Sequence, residues 1–207
     1  VFILDKAQIA EAGDKLLAYM GQSLRALDES LGNKLHIIEG DQVEVLTDLM
    51  KLYGATEVHI SDEYERYGAA RDTRVEAAGI KLIRTGSPYA VAPGRVRKPS
   101  DDTPYRVYTP FYRAWCVHGW RSPAKTPQTI NAPIPPDKYR AFPDFPMPAG
   151  VEVIEAGEAA ALKRFKEFSK KALDSYDEAR NMAGIDGTSK MSTYLKFGEI
   201  HPRTLLA

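Results

Sequence analysis

The sequence predicts an α/β fold that gives way to helices, and three observations carry the prediction. Over the first 90 residues, short apolar runs alternate with amphipathic helical segments. Residues 121–150 hold eight of the fourteen prolines, which argues against a packed element there. From residue 157 onward the apolar residues recur only at helical spacing. Strands that alternate with helices pair in parallel. The expectation is therefore a Rossmann-like parallel sheet with flanking helices, a Pro-rich linker, and the start of an all-α domain. The corresponding spans are 1–120, 121–156 and 157–207.

"VFILD" at 1–5 is a short buried-strand pattern. It opens at residue 1, so further residues are expected upstream. Leu16, Leu17, Met20, Leu24, Leu27 and Leu31 follow at three- and four-residue steps, one face of a helix over 14–31. "KLHIIEG" at 34–40 is a second strand. Asp41 then precedes a helical pattern with Glu44 three positions on, a capping-box spacing. Val45, Leu46, Leu49, Met50 and Tyr53 form its apolar side. "ATEVHIS" at 55–61 and "IKLIRT" at 80–85 are strands three and four, with a short helix near 69–78 between them. Pro88, Pro93, Pro99 and Pro104 then punctuate a loop, and "TPFYRAWCVHGW" reads as a short helix that seals the α/β domain. In the linker, Tyr139, Phe142 and Phe145 are expected to lie against a surface. A long helix begins near Gly157, with Leu162, Phe165, Phe168, Leu173, Tyr176 and Ala179 on one side. A second helix of the same kind is expected over 192–207.

Lys+Arg and Asp+Glu both number 28, so no global field draws nucleic acid or an anionic membrane. The single cysteine, Cys116, cannot form an intrachain disulfide, which fits a reducing compartment and a cytoplasmic location. No apolar run reaches the roughly 18–20 residues of a membrane span, and no signal peptide is visible. No set of His, Cys and carboxylates has metal-ligand spacing, so no metal is expected. His36, His59 and His118 have no partner at such spacing. Trp115 and Trp120 read as packing residues, Cys116 as a small hydrophobe, and Arg95, Arg97 and Lys98 as a solvated loop.

The densest chemistry lies near the end, in "DGTSKMS". Thr188, Ser189 and Ser192 crowd the start of a helical pattern, beside the backbone N–H groups of Lys190 and Met191. A helix N-terminus with added hydroxyls can cradle a phosphate. The same residues could simply cap the helix, which needs one Ser or Thr. Spacing leaves both readings open.

Taken together, "YDEARNMAGIDGTSKMSTYLKFGEIHPR", "PYRVYTPFYRAW" and "SDEYERYGAARD" resemble the DNA photolyase and cryptochrome family over essentially the whole chain. The resemblance implies an antenna domain, a long linker and the first helices of a truncated FAD-binding domain. It implies that Tyr176 and the run Thr188, Ser189, Lys190, Met191 and Ser192 hold FAD, the run around its phosphates. Met191 stands where Leu is usual and Thr193 where Pro is common.

The family's α/β domain often carries a second, light-harvesting chromophore. Tyr67 and Gly68 stand where methenyltetrahydrofolate binders place an Asn-Glu pair, so that contact looks absent. The loop is more similar to that of deazaflavin binders. On that reading Asp5, Glu63, Glu65, Tyr67, Gly68 and Arg71 are the antenna candidates. Leu16 replaces an Arg of such members, and the segment from Asp72 to Gly79 is about a turn shorter. An Arg71–Asp72 pair capping a helix beside an empty cleft, or another chromophore, stays open.

The activity implied is light-dependent repair of cyclobutane pyrimidine dimers by electron transfer from FAD, with damaged DNA as partner and a monomeric protein. No residue of the segment reads as a general acid, base or nucleophile, and the isolated fragment is expected to be inactive and to bind FAD weakly. The alternatives are a cryptochrome-type blue-light receptor and a nucleotide-binding α/β domain with unrelated helices appended.

Overall fold

The computed structural model describes residues 1–207. Its contacts divide the chain into two compact units, residues 1–41 with 127–200 and residues 42–126 with 201–207.

In the first unit, β1 (Phe2–Leu4) pairs in parallel with β2 (Ile37–Glu39), Ile3 opposite Ile38. Between them run α1 (Lys6–Glu11) and α2 (Asp14–Ser30). α1 was not anticipated; Asp5 starts it by accepting the Ala7 N–H at 2.9 Å. α2 matches the predicted helix and ends where Gly32 and Asn33 both take left-handed φ values, 65° and 61°. Its apolar stripe delivers Leu24 to a core shared with Leu4, Leu35 and Ile37, and Phe142 of the linker packs on that core. Each such aliphatic side chain contributes about 1.5–3 kcal/mol by leaving water. Over residues 121–156 the one helical element is a 3₁₀ turn, Asp137–Tyr139. Arg140 joins it to the sheet and the helix together. Its backbone forms a bridge with Ile37, and its guanidinium donates to Asp28 Oδ2 at 2.8 Å and to the Asn33 carbonyl at 2.7 Å.

The helical portion departs from expectation in two places. α6 (Glu158–Lys171) ends before Leu173, so Leu173, Tyr176 and Ala179 do not extend its face. Ser175 competes for the backbone there, its hydroxyl turning back to the Ala172 carbonyl. Tyr176–Ala179 form a separate short helix, α7. Nor is 192–207 one helix. α8 (Ser192–Lys196) stops ahead of Gly198 at φ 69°, and α9 (Pro202–Leu205) restarts with Pro at its first turn.

In the second unit, β3 (Val58–Ile60) pairs in parallel with β4 (Leu82–Arg84). α3 (Gln42–Tyr53) precedes them and α4 (Arg66–Ala77) connects them. α4 begins three residues earlier than predicted. The Arg74 side chain donates to Gln42 Oε1 and so ties α4 to α3. Arg84 holds Glu76 through two bonds of 2.6 and 3.0 Å, which ties β4 to α4. α9 docks in this unit. His201 Nδ1 accepts the Arg203 N–H at 3.1 Å, and Nε2 lies 2.9 Å from the Ser87 carbonyl. The first nitrogen is therefore the acceptor and the second the donor.

The parallel pairing expected of an α/β fold is present, as two two-stranded ladders. α5 (Tyr108–His118) does not seal the domain as expected, because none of its residues is buried. No helix is long and apolar enough to cross a membrane.

Candidate functional site

The hydroxyl-rich run forms a braced loop just ahead of α8. Arg164, on α6, reaches it with three contacts. Its Nε donates to the Ser189 carbonyl and its Nη2 to the Thr188 carbonyl, both at 3.0 Å, and Nη2 lies 3.6 Å from Asp186. Gly187 is buried against α7. A Cβ there would stand 2.6 Å from the Ala179 Cβ and 2.9 Å from the Ala179 carbonyl oxygen. The next turn requires Lys190 at φ 55°. Met191 then drops its side chain into the interior, where it is 3% exposed. One face of the loop is thus tied down through carbonyls, a glycine and a methionine.

The loop also keeps donors that the chain does not use. The hydroxyls of Thr188 and Ser192 and the backbone N–H groups of Thr188, Ser189 and Lys190 take no protein acceptor. Met191 differs from this set. Its N–H points at Ser189 Oγ, 3.4 Å away, so Met191 anchors the loop and does not add a donor. Plain helix capping does not describe the run, since α8 has no side-chain cap. α8 is only five residues long, so its dipole adds little. Donors on a loop, not a long helix, are what the residues offer to an anion. The Lys190 ammonium bonds Asp186 at 2.8 Å and holds that carboxyl below the usual carboxylate range. The two charges largely cancel, and the Arg164 guanidinium leaves the loop one net positive charge beside its N–H and O–H dipoles. That donor set fits a pyrophosphate, whose oxygens only accept.

Tyr176 opens α7, the helix whose Ala179 abuts Gly187. Its ring stands edge-on to Phe168 with centroids 5.8 Å apart, and the Arg180 guanidinium lies over it. The structure therefore brings α7 and the loop 186–192 together. Arg164 is the member that sequence reading missed. Its signal was weak, one cation among several on a polar helix face.

The antenna candidates fall in different units. Asp5 belongs to the first and caps α1. Glu63, Glu65, Tyr67, Gly68 and Arg71 belong to the second, around the start of α4. There Glu63 Oε1 accepts the N–H groups of Tyr64 and Glu65 at 2.8 and 2.9 Å. The Glu63 side chain crosses Gly68 so closely that a Cβ on Gly68 would stand 2.1 Å from the Glu63 Cγ. Glu65 is the residue before the first turn of α4, and Tyr67 is exposed. Arg71 pairs with the buried Asp72 at 2.7 and 2.9 Å. This pair is inside α4, so it does not cap the helix.

A cleft of about 410 Å³ opens at the carboxyl ends of β1 and β2. Leu4, Ile9, Phe142 and Phe145 line it, with the Lys6–Glu39 pair, 3.1 Å apart, at its rim. That volume lies within the range of small-molecule pockets. The strand ends were foreseeable from fold topology, and Phe142 and Phe145 were legible only as aromatics lying against some surface.

A model of the DNA photolyase family matches residues 1–131. An uncharacterized 31.6 kDa protein of Synechococcus sp. (strain PCC 6716) is 31% identical over 229 residues, which span this whole chain and 78% of that protein. The deoxyribodipyrimidine photo-lyase of Synechococcus sp. (strain PCC 6301) is 30% identical over 96% of this chain and 44% of its own length. A solved structure of a bacterial class III photolyase from Agrobacterium tumefaciens aligns with a TM-score of 0.76 and 26% identity, over 98% of this chain and 45% of that one. The chain thus spans less than half the length of these two photolyases. With the parallel α/β pairing, the braced hydroxyl loop and a family match over more than half of its residues, the chain belongs to the DNA photolyase family.

Proposed function

We propose that the chain serves as the amino-terminal part of a deoxyribodipyrimidine photolyase, an enzyme that uses light to repair cyclobutane pyrimidine dimers in DNA. The observation that supports this most is the loop 186–192, with its carbonyls held by Arg164 and its donors open. It sits in a chain matched by proteins of that name over 84 to 99% of its length. FAD, when bound, supplies the photoexcited one-electron donor for ring splitting. The chain's own residues bind and orient. Thr188, Ser189, Ser192 and the Lys190 N–H receive the phosphates, Met191 anchors their loop, and Tyr176 stands on the helix beside it.

Tyr67 and Gly68 favour deazaflavin over methenyltetrahydrofolate as an antenna chromophore, with Glu63, Glu65 and Arg71 around them. The substrate is read as damaged DNA and the protein as a monomer. The test is an absorption spectrum and a light-driven repair assay on the full-length protein. Flavin absorption with loss of dimers under blue light is expected. Flavin without dimer cleavage would favour a cryptochrome-type receptor, and a colourless protein would overturn the reading.

A further inference from the structure

From Thr103 to Pro136 the chain contains no Asp or Glu, although it is neutral overall. The same stretch carries Arg106, Arg113, Arg121 and Lys125, none of which pairs with a carboxylate. Along α5 the aromatic side chains form a continuous ladder. Tyr108 and Tyr112 have centroids 5.7 Å apart and planes within 14°. Tyr112 and Trp115 follow at 6.3 Å and 16°, and Trp115 and Trp120 at 4.6 Å and 29°. The rings are near parallel, and three of the four lie on the surface: Tyr108 is 72% exposed, Tyr112 48% and Trp120 37%. An arginine lies within two residues of each exposed rung: Arg106 near Tyr108, Arg113 beside Tyr112, Arg121 beside Trp120.

No residue of α5 is buried within this chain. Parallel aromatic rings in a stretch without carboxylates, with unpaired arginines close by in sequence, match one chemistry closely. Bases stack on the rings while phosphates meet the cations, with no demand on sequence. We infer that the α5 face, from Arg106 to Arg121, is a binding platform for single-stranded nucleic acid. The platform is independent of flavin, of light and of any lesion, so it stands or falls separately from the repair activity.

The chain's only two tryptophans are both rungs of the ladder, so emission excited selectively at tryptophan reports on this face. Titration of the 207-residue chain in the dark with undamaged oligo(dT) should quench that emission. Fluorescence anisotropy of a labelled oligo(dT) should give an affinity whose logarithm falls with log salt at a slope near −2, about 0.7 for each of three phosphate contacts. Tyr108→Ala with Tyr112→Ala should weaken binding about 10-fold or more, while Tyr108→Phe with Tyr112→Phe keeps the stacking faces and the affinity. Arg113→Gln should reduce the slope by about 0.7. Lys163→Gln with Lys166→Gln, on α6, should change nothing. Circular dichroism identifies any variant that fails to fold, and the phenylalanine pair then decides. Absence of quenching, binding unmoved by the ladder and arginine changes, or ladder-dependent self-association without oligonucleotide binding would each overturn the inference.

Discussion

The Tyr19 hydroxyl donates to Glu199 Oε2 at 2.6 Å, across 180 residues of chain. The second oxygen of Glu199 accepts the Gly157 N–H at 2.7 Å. One carboxylate therefore fastens α2, the residue before α6 and the turn after α8, within a single compact unit. Gly157 is suited to this junction on two counts: its φ is 104°, and a Cβ would come within 2.9 Å of the Ala26 Cβ. Removing the donor by Tyr19→Phe leaves a carboxylate with one partner and should cost about 1–3 kcal/mol in urea unfolding. A Tyr19→Phe, Glu199→Gln cycle should show coupling, and additive losses would count against the clamp.

The same bond sets a behaviour at high pH. Burial, reinforced by the Glu199 acceptor, pushes the Tyr19 phenol well above its ordinary value near 10. Above that pH the unfolded chain ionises this tyrosine while the folded chain does not. The folded state then binds more protons, so stability falls as pH rises. Tyr194, raised mainly by burial and further by Glu199, adds in the same direction. The urea midpoint should drop from about pH 10 upward, and the slope should be shallower in Tyr19→Phe.

At the acid end the buried His36 has the opposite sign. Burial holds its imidazole below the ordinary value, with a smaller contribution from the charge of Arg140. Below about pH 6.5 the unfolded chain takes up a proton there that the folded chain resists. The stability it contributes is therefore present above that pH and lost as pH falls. His36→Gln should flatten the midpoint between about pH 5 and 7, and an unchanged profile would remove His36 as its source.

Arg140 should be among the most costly linker residues. Asp28 is almost fully buried and accepts from Arg140 and from the Leu35 N–H. Arg140→Ala strands that carboxylate and should cost about 3 kcal/mol. Asp28→Asn with Arg140→Ala should recover part of the loss, because the buried charge is then gone. Chemical denaturation of both variants checks this.

At the hydroxyl loop, shape and chemistry can be separated. Gly187→Ala forces Ala179 aside and should cost about 1–3 kcal/mol of stability. Thr188→Ala with Ser189→Ala removes one exposed hydroxyl and one that accepts the Met191 N–H over a long 3.4 Å contact, and should cost no more than about 1 kcal/mol of stability. In the full-length flavoprotein that pair should weaken FAD retention about 10-fold, read by flavin release. Arg164→Gln should affect both measurements, since its guanidinium holds the carbonyls of Thr188 and Ser189.

Much of this protein was legible in the sequence, because strand and helix patterns are local. The four strands lie inside the predicted runs, and α2 and α3 occupy the predicted spans, but α2 buries Ala18, Tyr19, Leu24 and Asp28 and leaves Leu16 and Leu27 exposed, and α3 leaves Tyr53 exposed. The hydroxyl cluster stood out by composition. Its neighbours did not. Arg164 looks like any other cation on a polar helix until the fold points it at two carbonyls. Leu173, Tyr176 and Ala179 continue the period of α6, yet the Ser175 hydroxyl competes for the backbone, and periodicity does not weigh that competition. The aromatic residues of α5 read as packing, because sequence records hydrophobicity and not which face finds a neighbour.

By itself, then, the sequence placed the four strands and the spans of α2 and α3, which follow from short-range patterns of burial and turn residues, and it carried the motifs that resemble the family. Only the tertiary structure decided which side chains meet: Tyr19 with Glu199, Asp28 with Arg140, Arg164 with the loop at 188–189. Such contacts join residues far apart along the chain, and their partners are selected by packing geometry, which local pattern does not encode.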